Sequence, residues 1–372
     1  MPCLLCGGDH LCDILTMPDI EVFVGGYAPG AARPDKLPCR IRQCLDCGHV
    51  FQPADPVISK TMDAIYNSVI AQASTATGVG QWGRKRAERM LSLLSPPTPP
   101  RSVLEIGSPN AYLLRRFQEQ GATRLVGLDP SLPGNEEHEG VQLLKAVFGP
   151  DLPLSGPSFD LILACNVFEH IENMHQMLRD CRKWLADEGM LSFCVPNCEQ
   201  QLVNGDPAVF MHEHWHYFTE HSIRALLARN GFSLWHLEKE ADNLYVQAVK
   251  SDVVTALPLD FILYDDYRSK LSRCLERFTV AASGGNVLIH GASNSLNNIL
   301  GWVEPVAGKL FVTDNDPQKY GKRIGGFPIR DKAGIPLTDM DVIVVIPYAY
   351  AATIRNEYER SGYKGRIAVL VA

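Results

Sequence analysis

Residues 103–130 read VLEIGSPNAYLLRRFQEQGATRLVGLDP, and this stretch decides the fold. Its first residues, 103–106, are mostly apolar and predict a buried strand, after which a polar turn breaks the pattern. Apolar residues at helical spacing follow over 113–117, and Gly121 ends the predicted helix. A second apolar run predicts another strand, which ends on Asp129. The order strand, turn, helix, strand is typical of one half of a nucleotide-binding α/β unit.

The turn after the first strand carries groups that suit a cofactor. Gly107 has no Cβ, so the backbone there can approach a ligand closely, and Ser108 follows it. Asp129, at the end of the second strand, is placed to accept hydrogen bonds from ribose hydroxyls. Glu105 suits S-adenosylmethionine, whose amino acid part is positively charged, and the absence of a G-x-G-x-x-G motif disfavours a dinucleotide. The alternative is an α/β domain with no ligand at this turn.

The composition limits the class of protein. A chain of 372 residues predicts two or three domains at ~100–200 residues each. The net charge of −7 argues against a nucleic-acid partner, which needs a basic surface. The chain shows no signal-peptide pattern and no run of ~18 apolar residues, so we expect no membrane partner. Eleven cysteines then indicate thiols and a metal rather than disulfides, and we expect a cytoplasmic protein.

Residues 1–58 are predicted to be a separate zinc-binding module. Two Cys-x-x-Cys pairs, each followed by glycine, can close one tetrahedral zinc site. The predicted ligands are Cys3, Cys6, Cys44 and Cys47. Further candidates that lie nearby are His10, Cys12, Cys39 and His49. Four protein ligands leave no open position, so this zinc is expected to be structural; the alternative is a metal-free cluster of reduced thiols.

Residues 59–254 are predicted to form a doubly wound core around the first stretch. An amphipathic helix is expected over 81–94, with Trp82 on its apolar face. A strand over 159–164 is followed by Asn166 and His170, and the carboxyl ends of such strands are where ligands bind. A helix is then expected over 174–185, ended by Gly189.

The segment 210–218, FMHEHWHYF, is the most unusual in the chain. Its three histidines, glutamate and tyrosine are not ordinary core residues, and these residue types are the common proton carriers of active sites. A metal site is the rival functional interpretation, because histidine and glutamate also bind zinc or iron. The remaining alternative is a surface loop with chance histidines.

Residues 255–372 are predicted to form a helical connector and a second, Rossmann-like α/β domain. Apolar runs at 286–290, 310–313 and 341–346 predict its strands, and the second of them again ends on an acid, Asp314. This domain is expected either to bind a nucleotide or to serve as a structural or dimer-forming module.

The order of these parts resembles the sugar C-methyltransferase family. The resemblance covers nearly the whole chain and is carried by the two Cys-x-x-Cys pairs, EIGSPNAYLL, NVFEHI, HEHWHYFT and DNDPQKYGKRIGGFPI. It implies an α/β fold with a Rossmann-like methyltransferase core, a zinc module and a second Rossmann-like domain. It also implies S-adenosylmethionine and structural zinc as cofactors. The implied substrate is a nucleotide-linked deoxysugar, methylated next to its ketone by a monomer or homodimer.

The resemblance also implies roles for single residues. His214 is expected to be the base that removes a proton from the substrate carbon, with Glu213 orienting it. His170, His212 or Tyr66 is expected to donate a hydrogen bond to the enolate oxygen.

The chain departs from the family pattern at three places, one of which is in the tail, where the family's lysine after the glycine turn is absent around Ser295. Met211 stands where the family has a tyrosine proposed as a base, and Pro109-Asn110-Ala111 replaces the Asn-Asp-Gly of the cofactor turn. The hypotheses kept open are therefore an O- or N-methyltransferase on a related sugar or natural product, and a non-catalytic relative that binds a partner.

Overall fold

The structure is a computed structural model. It describes residues 1–22, 34–66, 77–96, 98–154, 158–253, 260–304, 309–346 and 350–370, with the side chain of Tyr66 outside the description. The chain divides into two compact units. The first comprises Met1–Cys12, Arg42–Glu199 and Glu213–Leu263, and the second comprises Asp13–Ile41, Gln200–His212 and Tyr264–Ala372. The three-part division at 58/59 and 254/255 stays a prediction.

The secondary structure alternates between strands and helices along most of the described chain. The strands are β1 (Leu11–Ile20), β2 (Leu37–Cys44), β3 (Val50–Phe51), β4 (Ser102–Ile106), β5 (Arg124–Leu128), β6 (Glu136–His138), β7 (Val141–Leu144), β8 (Phe159–Cys165), β9 (Leu185–Pro196), β10 (His216–Tyr217), β11 (Phe232–Lys239), β12 (Asn243–Lys250), β13 (Asn286–His290), β14 (Lys309–Thr313), β15 (Arg323–Ile324), β16 (Phe327–Arg330), β17 (Val342–Val345) and β18 (Arg366–Val369). The helices are α1 (Pro56–Tyr66), α2 (Gly80–Leu93), α3 (Tyr112–Glu119), α4 (Met174–Trp184), α5 (Glu199–Asn204), α6 (Glu220–Arg229), α7 (Tyr267–Ala281), α8 (Asn294–Trp302) and α9 (Ala351–Arg360).

The main sheet of the first unit has eight strands in the order β11-β12-β9-β8-β4-β5-β7-β6. The strands from β7 to β9 in this order run parallel, and β12 and β6 are antiparallel to their inner neighbours. The chain winds outward from β4 in both directions, first through β5 and β7 and later through β8 and β9. The ends of β4 and β8 therefore form a topological switch point, where open α/β sheets bind their ligands. The prediction of an α/β fold is confirmed.

The first predicted unit, β4-α3-β5, forms as its apolar pattern indicates. All of β4 is buried, and α3 buries Leu113, Leu114 and Phe117 against the sheet. Helix α6 begins with a capping box in which Thr219 accepts a hydrogen bond from the amide of Ser222.

Two local predictions are wrong. Trp82 is 38% exposed, because α2 buries Gly83, Ala87 and Met90, and a side chain one position before Gly83 lies about 100° away from that face. Gly189 does not end a helix, because α4 stops at Trp184 and β9 already begins at the next residue. The pairing of β9 with β8 shifts register in this region, so the extra residues are taken up as an irregularity within the strand.

Short strands connect the segment with the three histidines to the N-terminal module within the first unit. β3 pairs with the end of β2 on one side, where Arg42 is opposite Phe51, and with β10 on the other, where His216 is opposite the same Phe51. The backbone amide of Gln52 also donates to the carbonyl of Trp215 at 3.0 Å. The conformation of the histidine segment therefore depends on the fold of the N-terminal module.

The second unit contains its own six-stranded sheet, of order β15-β16-β14-β13-β17-β18. The strands from β16 to β18 are parallel, and the chain again winds outward from a central strand, β13. Buried residues of α7 and α8, among them Phe278, Leu296 and Ile299, belong to the same core cluster as Val312 and Val344 of the sheet. The prediction of a second, Rossmann-like α/β arrangement is confirmed. In the ranges that the structure describes, no helix is long and apolar enough to cross a bilayer.

Candidate active site

The turn between β4 and α3 requires glycine at position 107. Gly107 has a φ of 75°, and a Cβ at this position would lie 2.6 Å from Cγ2 of Val167. The amides of Gly107 and Ser108 both donate to the carbonyl of Leu128, at 2.8 and 2.9 Å. These two bonds hold the turn against the end of β5. A larger residue would both strain the backbone and push Val167 away.

Glu105 is a buried carboxyl at the end of β4. It is 1% exposed, and its Oε2 accepts a hydrogen bond from the Ser108 hydroxyl at 2.8 Å. Burial raises the pKa of Glu105 to about 8, an effect that the Ser108 hydrogen bond only partly offsets. Without a ligand, Glu105 is therefore mostly protonated at neutral pH. A cationic group bound next to it would favour the carboxylate and release the proton.

This behaviour predicts a pH-dependent affinity for S-adenosylmethionine. Below a pKa of about 8, binding of the ligand's ammonium group must first ionise Glu105, so the affinity should rise up to about tenfold per pH unit between about pH 6 and 7.5. Calorimetry with S-adenosylhomocysteine over this range measures it. Glu105→Gln should bind more weakly and with little pH dependence. An affinity of the unaltered protein that does not change with pH would contradict the prediction.

The ends of the neighbouring strands carry the other predicted cofactor residues. Asp129 is half-buried after β5, and its Oδ1 accepts hydrogen bonds from the amide and the hydroxyl of Ser131, at 2.8 and 2.5 Å. Asn166, after β8, has a φ of 52° and donates through Nδ2 to Oε1 of Glu169 at 2.8 Å. Its Oδ1 lies 3.5 Å from Sγ of Cys194. The side-chain amide of Asn166 is thus engaged within the domain, whereas Oδ2 of Asp129 has no hydrogen-bond partner among the described residues.

Asp129→Ala should weaken S-adenosylmethionine binding by about 1–3 kcal/mol, because a charge-assisted hydrogen bond to the ribose is lost. Ser131→Ala is the matched control, since it removes the hydroxyl that donates to Asp129 and keeps the carboxylate. Its affinity should stay near that of the unaltered protein. If calorimetry shows equal affinities for Asp129→Ala and the unaltered protein, the ribose binds elsewhere.

The replaced residues of the cofactor turn have identifiable structural effects. Ala111 takes a left-handed φ of 56° at the start of α3, the conformation that a glycine adopts without strain. Asn110 donates through Nδ2 to the carbonyl of Thr77 at 2.8 Å, and its Oδ1 accepts from the amide of Tyr112. The turn therefore keeps its shape through the Asn110 side chain, at the cost of backbone strain at Ala111.

His214 differs from the other two histidines of its segment. It is 8% exposed, and within the described part of the chain neither of its ring nitrogens has a hydrogen-bond partner. Burial holds the pKa of His214 well below its usual range, so the ring is neutral. Its ring centroid lies 4.8 Å from that of His170, edge to face. A neutral imidazole with a free lone pair is able to accept a proton.

His212 and His216 have structural partners instead. Nε2 of His212, in the second unit, lies 2.9 Å from the carbonyl oxygen of Leu37. Nε2 of His216 lies 3.0 Å from the carbonyl oxygen of Ile171, and its Nδ1 lies 2.9 Å from Nε2 of His49. Both rings are buried, so these contacts hold the segment in place. The histidine count alone did not distinguish these residues from His214.

His170 follows β8 in a short 3-10 helix, Phe168–His170, and contacts the histidine segment. Its Nδ1 lies 3.1 Å from the carbonyl oxygen of Glu213 and 3.9 Å from Oε2 of the same residue. The carbonyl can only accept, so Nδ1 carries the proton and Nε2 carries the lone pair. Burial lowers the pKa of His170, which keeps this ring neutral as well. The predicted orienting carboxylate, Glu213, thus has these contacts with His170.

The four thiols of the N-terminal module meet at one point. Sγ of Cys3 lies 3.7 Å from Sγ of Cys47, and Sγ of Cys6 lies 3.5 Å from Sγ of Cys44. In a tetrahedral site with Zn–S of ~2.3 Å, the sulfurs are about 3.8 Å apart, so these thiols fit a zinc ion. Amides of the two turns, such as that of Gly8, donate to the sulfurs at 3.3–3.4 Å.

Residues 80–237 match a family model described as "Methyltransferase domain". This segment is a methyltransferase domain. It contains the cofactor turn, the 3-10 helix and the histidine segment, so the proposed site residues from Glu105 to His214 lie within it.

The methyltransferase domain also has named relatives. The chain is 25% identical to C-methyltransferase NovU of Streptomyces niveus over 242 residues, which are 62% of this chain and 55% of that protein. The chain therefore spans little more than half of the length of this relative. An S-adenosylmethionine-dependent methyltransferase from Mesorhizobium loti is 17% identical, with a TM-score of 0.35, and covers 46% of this chain and 98% of its own. The 1,6-didemethyltoxoflavin-N1-methyltransferase of Burkholderia thailandensis is 16% identical, with a TM-score of 0.38, over 56% of this chain and 97% of its own.

The sequence did not single out Glu169, which the methyltransferase domain places beside both imidazoles. One carboxylate oxygen of Glu169, one ring nitrogen of His170 and one ring nitrogen of His214 all lie within 4.8 Å of one another. The available signal was an acid directly before His170, in the segment NVFEHI that follows a buried strand. Tyr66 ends α1, and its side chain lies outside the described residues.

Proposed function

We propose that this protein is an S-adenosylmethionine-dependent C-methyltransferase that acts next to the ketone of a nucleotide-linked deoxysugar. The observation that carries the proposal is His214, a buried, neutral imidazole without a hydrogen-bond partner in the described chain, in a methyltransferase domain. Transfer to an oxygen or nitrogen does not need a proton taken from carbon, whereas C-methylation does. The identity to a C-methyltransferase supports the same reaction type.

The residues of the cofactor turn would hold S-adenosylmethionine, which supplies the methyl group when bound. Glu105 binds the ammonium group, Gly107 and Ser108 let the backbone approach, and Asp129 binds the ribose. Asn166 shapes the neighbouring edge through its left-handed backbone and its bond to Glu169. Because these groups sit at the ends of β4, β5 and β8, the methyl donor is oriented by the rigid sheet.

The chemical step begins with His214. The ring removes a proton from the carbon next to the ketone, and the resulting enolate becomes the nucleophile. A donor near the enolate oxygen stabilises the developing charge. Nε2 of His170 carries a lone pair in the tautomer described above, so we favour the Tyr66 hydroxyl for this donor over His170 or His212. Glu213 fixes His170 through its carbonyl and carboxylate.

Cys3, Cys6, Cys44 and Cys47 would hold a structural zinc ion in this proposal. The 11 cysteines are all free thiols, which fits a reducing compartment, and on that basis we propose a cytoplasmic location. The proposed partner is the small-molecule substrate, with the protein acting as a monomer or homodimer.

Met211 supports a second candidate function, methylation of an oxygen or nitrogen. A thioether cannot accept a proton, so one proposed base of the C-methylating family is missing at this position. The two candidates differ in the atom that receives the methyl group.

An assay with isotope-labelled S-adenosylmethionine and a panel of nucleotide-linked keto deoxysugars tests the proposal. We expect a product with a new carbon–carbon bond, located by carbon NMR. A methyl group on oxygen or nitrogen would establish the second candidate, and no transfer to any member of the panel would contradict the sugar substrate.

A further inference from the structure

Glu169 is a buried carboxyl with no role in the chemical step proposed above. It is 1% exposed, and its Oε1 accepts a hydrogen bond from Nδ2 of Asn166 at 2.8 Å. Its Oε2 is also buried and has no hydrogen-bond partner among the described residues. A buried carboxyl oxygen without a partner is costly, so its presence calls for an explanation.

The Glu169 carboxyl group lies in the same small space as the two imidazoles. Nε2 of His170 is 3.9 Å from Oε1 of Glu169, and a ring nitrogen of His214 is no more than 4.8 Å from a Glu169 oxygen. Two hydrogen bonds of about 2.8 Å through one water molecule span about this distance. A proton can therefore pass between His214 and Glu169 either through one water or after a small side-chain movement.

The direction of such a transfer follows from the two environments. Burial holds the pKa of His214 well below its usual range, whereas burial raises the pKa of Glu169 to about 7. The carboxylate is thus the stronger base of the two. A proton that His214 has taken up is more stable on Glu169, where it neutralises a buried charge.

We propose that Glu169 accepts the proton that His214 removes from the substrate carbon. This inference rests on the proposed function. The carbon–hydrogen bond breaks, its electron pair enters the enolate, and the proton moves to His214 and then to the carboxylate of Glu169. The enolate pair forms the new carbon–carbon bond, while the pair of the broken methyl–sulfur bond stays on sulfur. Glu169 loses the proton to solvent before the next turnover, and His214 is neutral again.

The surroundings of Glu169 determine the pH above which its carboxyl group is ionised and able to accept a proton. The titratable groups that act on it among the described residues are His170, His214, Arg86, Cys194 and Cys198. Arg86 favours the carboxylate, while burial raises the pKa of both thiols and keeps them neutral. Glu169 is therefore ionised above a pH of about 7 and protonated below it. Turnover should fall as the pH drops through this value, because the protonated carboxyl accepts no further proton.

An NMR titration of the full chain with labelled histidines tests the coupling of His214 and Glu169 without any substrate. We expect the ring signals of His214, assigned with His214→Gln, to shift with a midpoint near pH 7 as Glu169 ionises. The shift should vanish in Glu169→Gln and persist in the matched control Glu213→Gln. An unaltered protein without the shift, or a Glu169→Gln variant that keeps it, overturns the inference. If Glu169→Gln does not fold, the presence or absence of the shift near pH 7 in the unaltered protein still tests the inference.

A pH profile of methyl transfer gives the second measurement. Glu169→Gln should lower turnover at pH 8 by about 10–100-fold and remove the fall near pH 7, whereas Glu169→Asp should keep that fall. If Glu169→Gln methylates carbon with an unchanged profile, the inference fails while the proposed function stands. Elemental analysis is the last check. A second bound metal ion, present in addition to one zinc and lost in Glu169→Gln, would mean that Glu169 and the imidazoles bind a metal and would also overturn the inference.

Discussion

Replacement of His214 by glutamine should lower the turnover of methyl transfer by about 100-fold or more. The reason is that glutamine keeps a polar side chain of similar size but offers no basic nitrogen. Affinity for S-adenosylhomocysteine should stay nearly unchanged, since the proposed cofactor groups lie at the ends of β4 and β5. Single-turnover kinetics and calorimetry on the same preparations separate the two quantities.

His236→Gln is the control for this variant, because His236 is a half-buried histidine of β11 outside the histidine segment. It should retain turnover. The sharper measurement is exchange of the substrate proton in heavy water with S-adenosylhomocysteine bound, when no methyl transfer is possible. His214→Gln should exchange this proton far more slowly than the unaltered protein. Exchange at an equal rate would show that another group is the base.

Replacement of Cys44 by serine should abolish zinc binding and unfold the N-terminal turns. Thiolate ligands of a structural zinc contribute to a binding free energy of about 10–16 kcal/mol in zinc-finger peptides, and that energy is also folding free energy. We expect less than one zinc per chain by elemental analysis and rapid proteolysis within the first module. Turnover should fall too, because β3 of that module pairs with β10 of the histidine segment.

Cys12→Ser is the matched control for this prediction. Cys12 is half-buried in the same module and lies outside the group of four thiols within ligand distance. This variant should keep one zinc per chain and normal turnover. If Cys44→Ser binds zinc as tightly as the unaltered protein, the ion is held by other residues.

The sequence determined those features of the protein that depend on neighbours along the chain. The apolar run of β4, the helical spacing of α3 and the glycine between them are local patterns, so the order of residues is enough to predict the cofactor turn. The two Cys-x-x-Cys pairs likewise predict a zinc site, because each pair forms a turn of its own. The apolar runs that form the strands of the second unit are local patterns as well.

Local patterns mispredict the structure where the conformation depends on distant contacts. The apolar pattern of α2 did not reveal which of its residues face the sheet, and Trp82 lies off that face. Gly189 is a common helix stop, yet pairing with β8 draws Leu185 into a strand. In both cases tertiary packing overrides a local preference.

Only the tertiary structure distinguished the three histidines of one short segment. His212 and His216 lie beside carbonyl oxygens from other parts of the chain, and His214 alone faces His170 and Glu169. The protonation states of Glu105 and Glu169 could not be predicted from the sequence either, since the raised pKa of each carboxyl comes from burial. Residue types along the chain identify which groups are able to exchange protons. Whether a group does so depends on its burial and its hydrogen-bond partners. Both arise only when separate segments pack together.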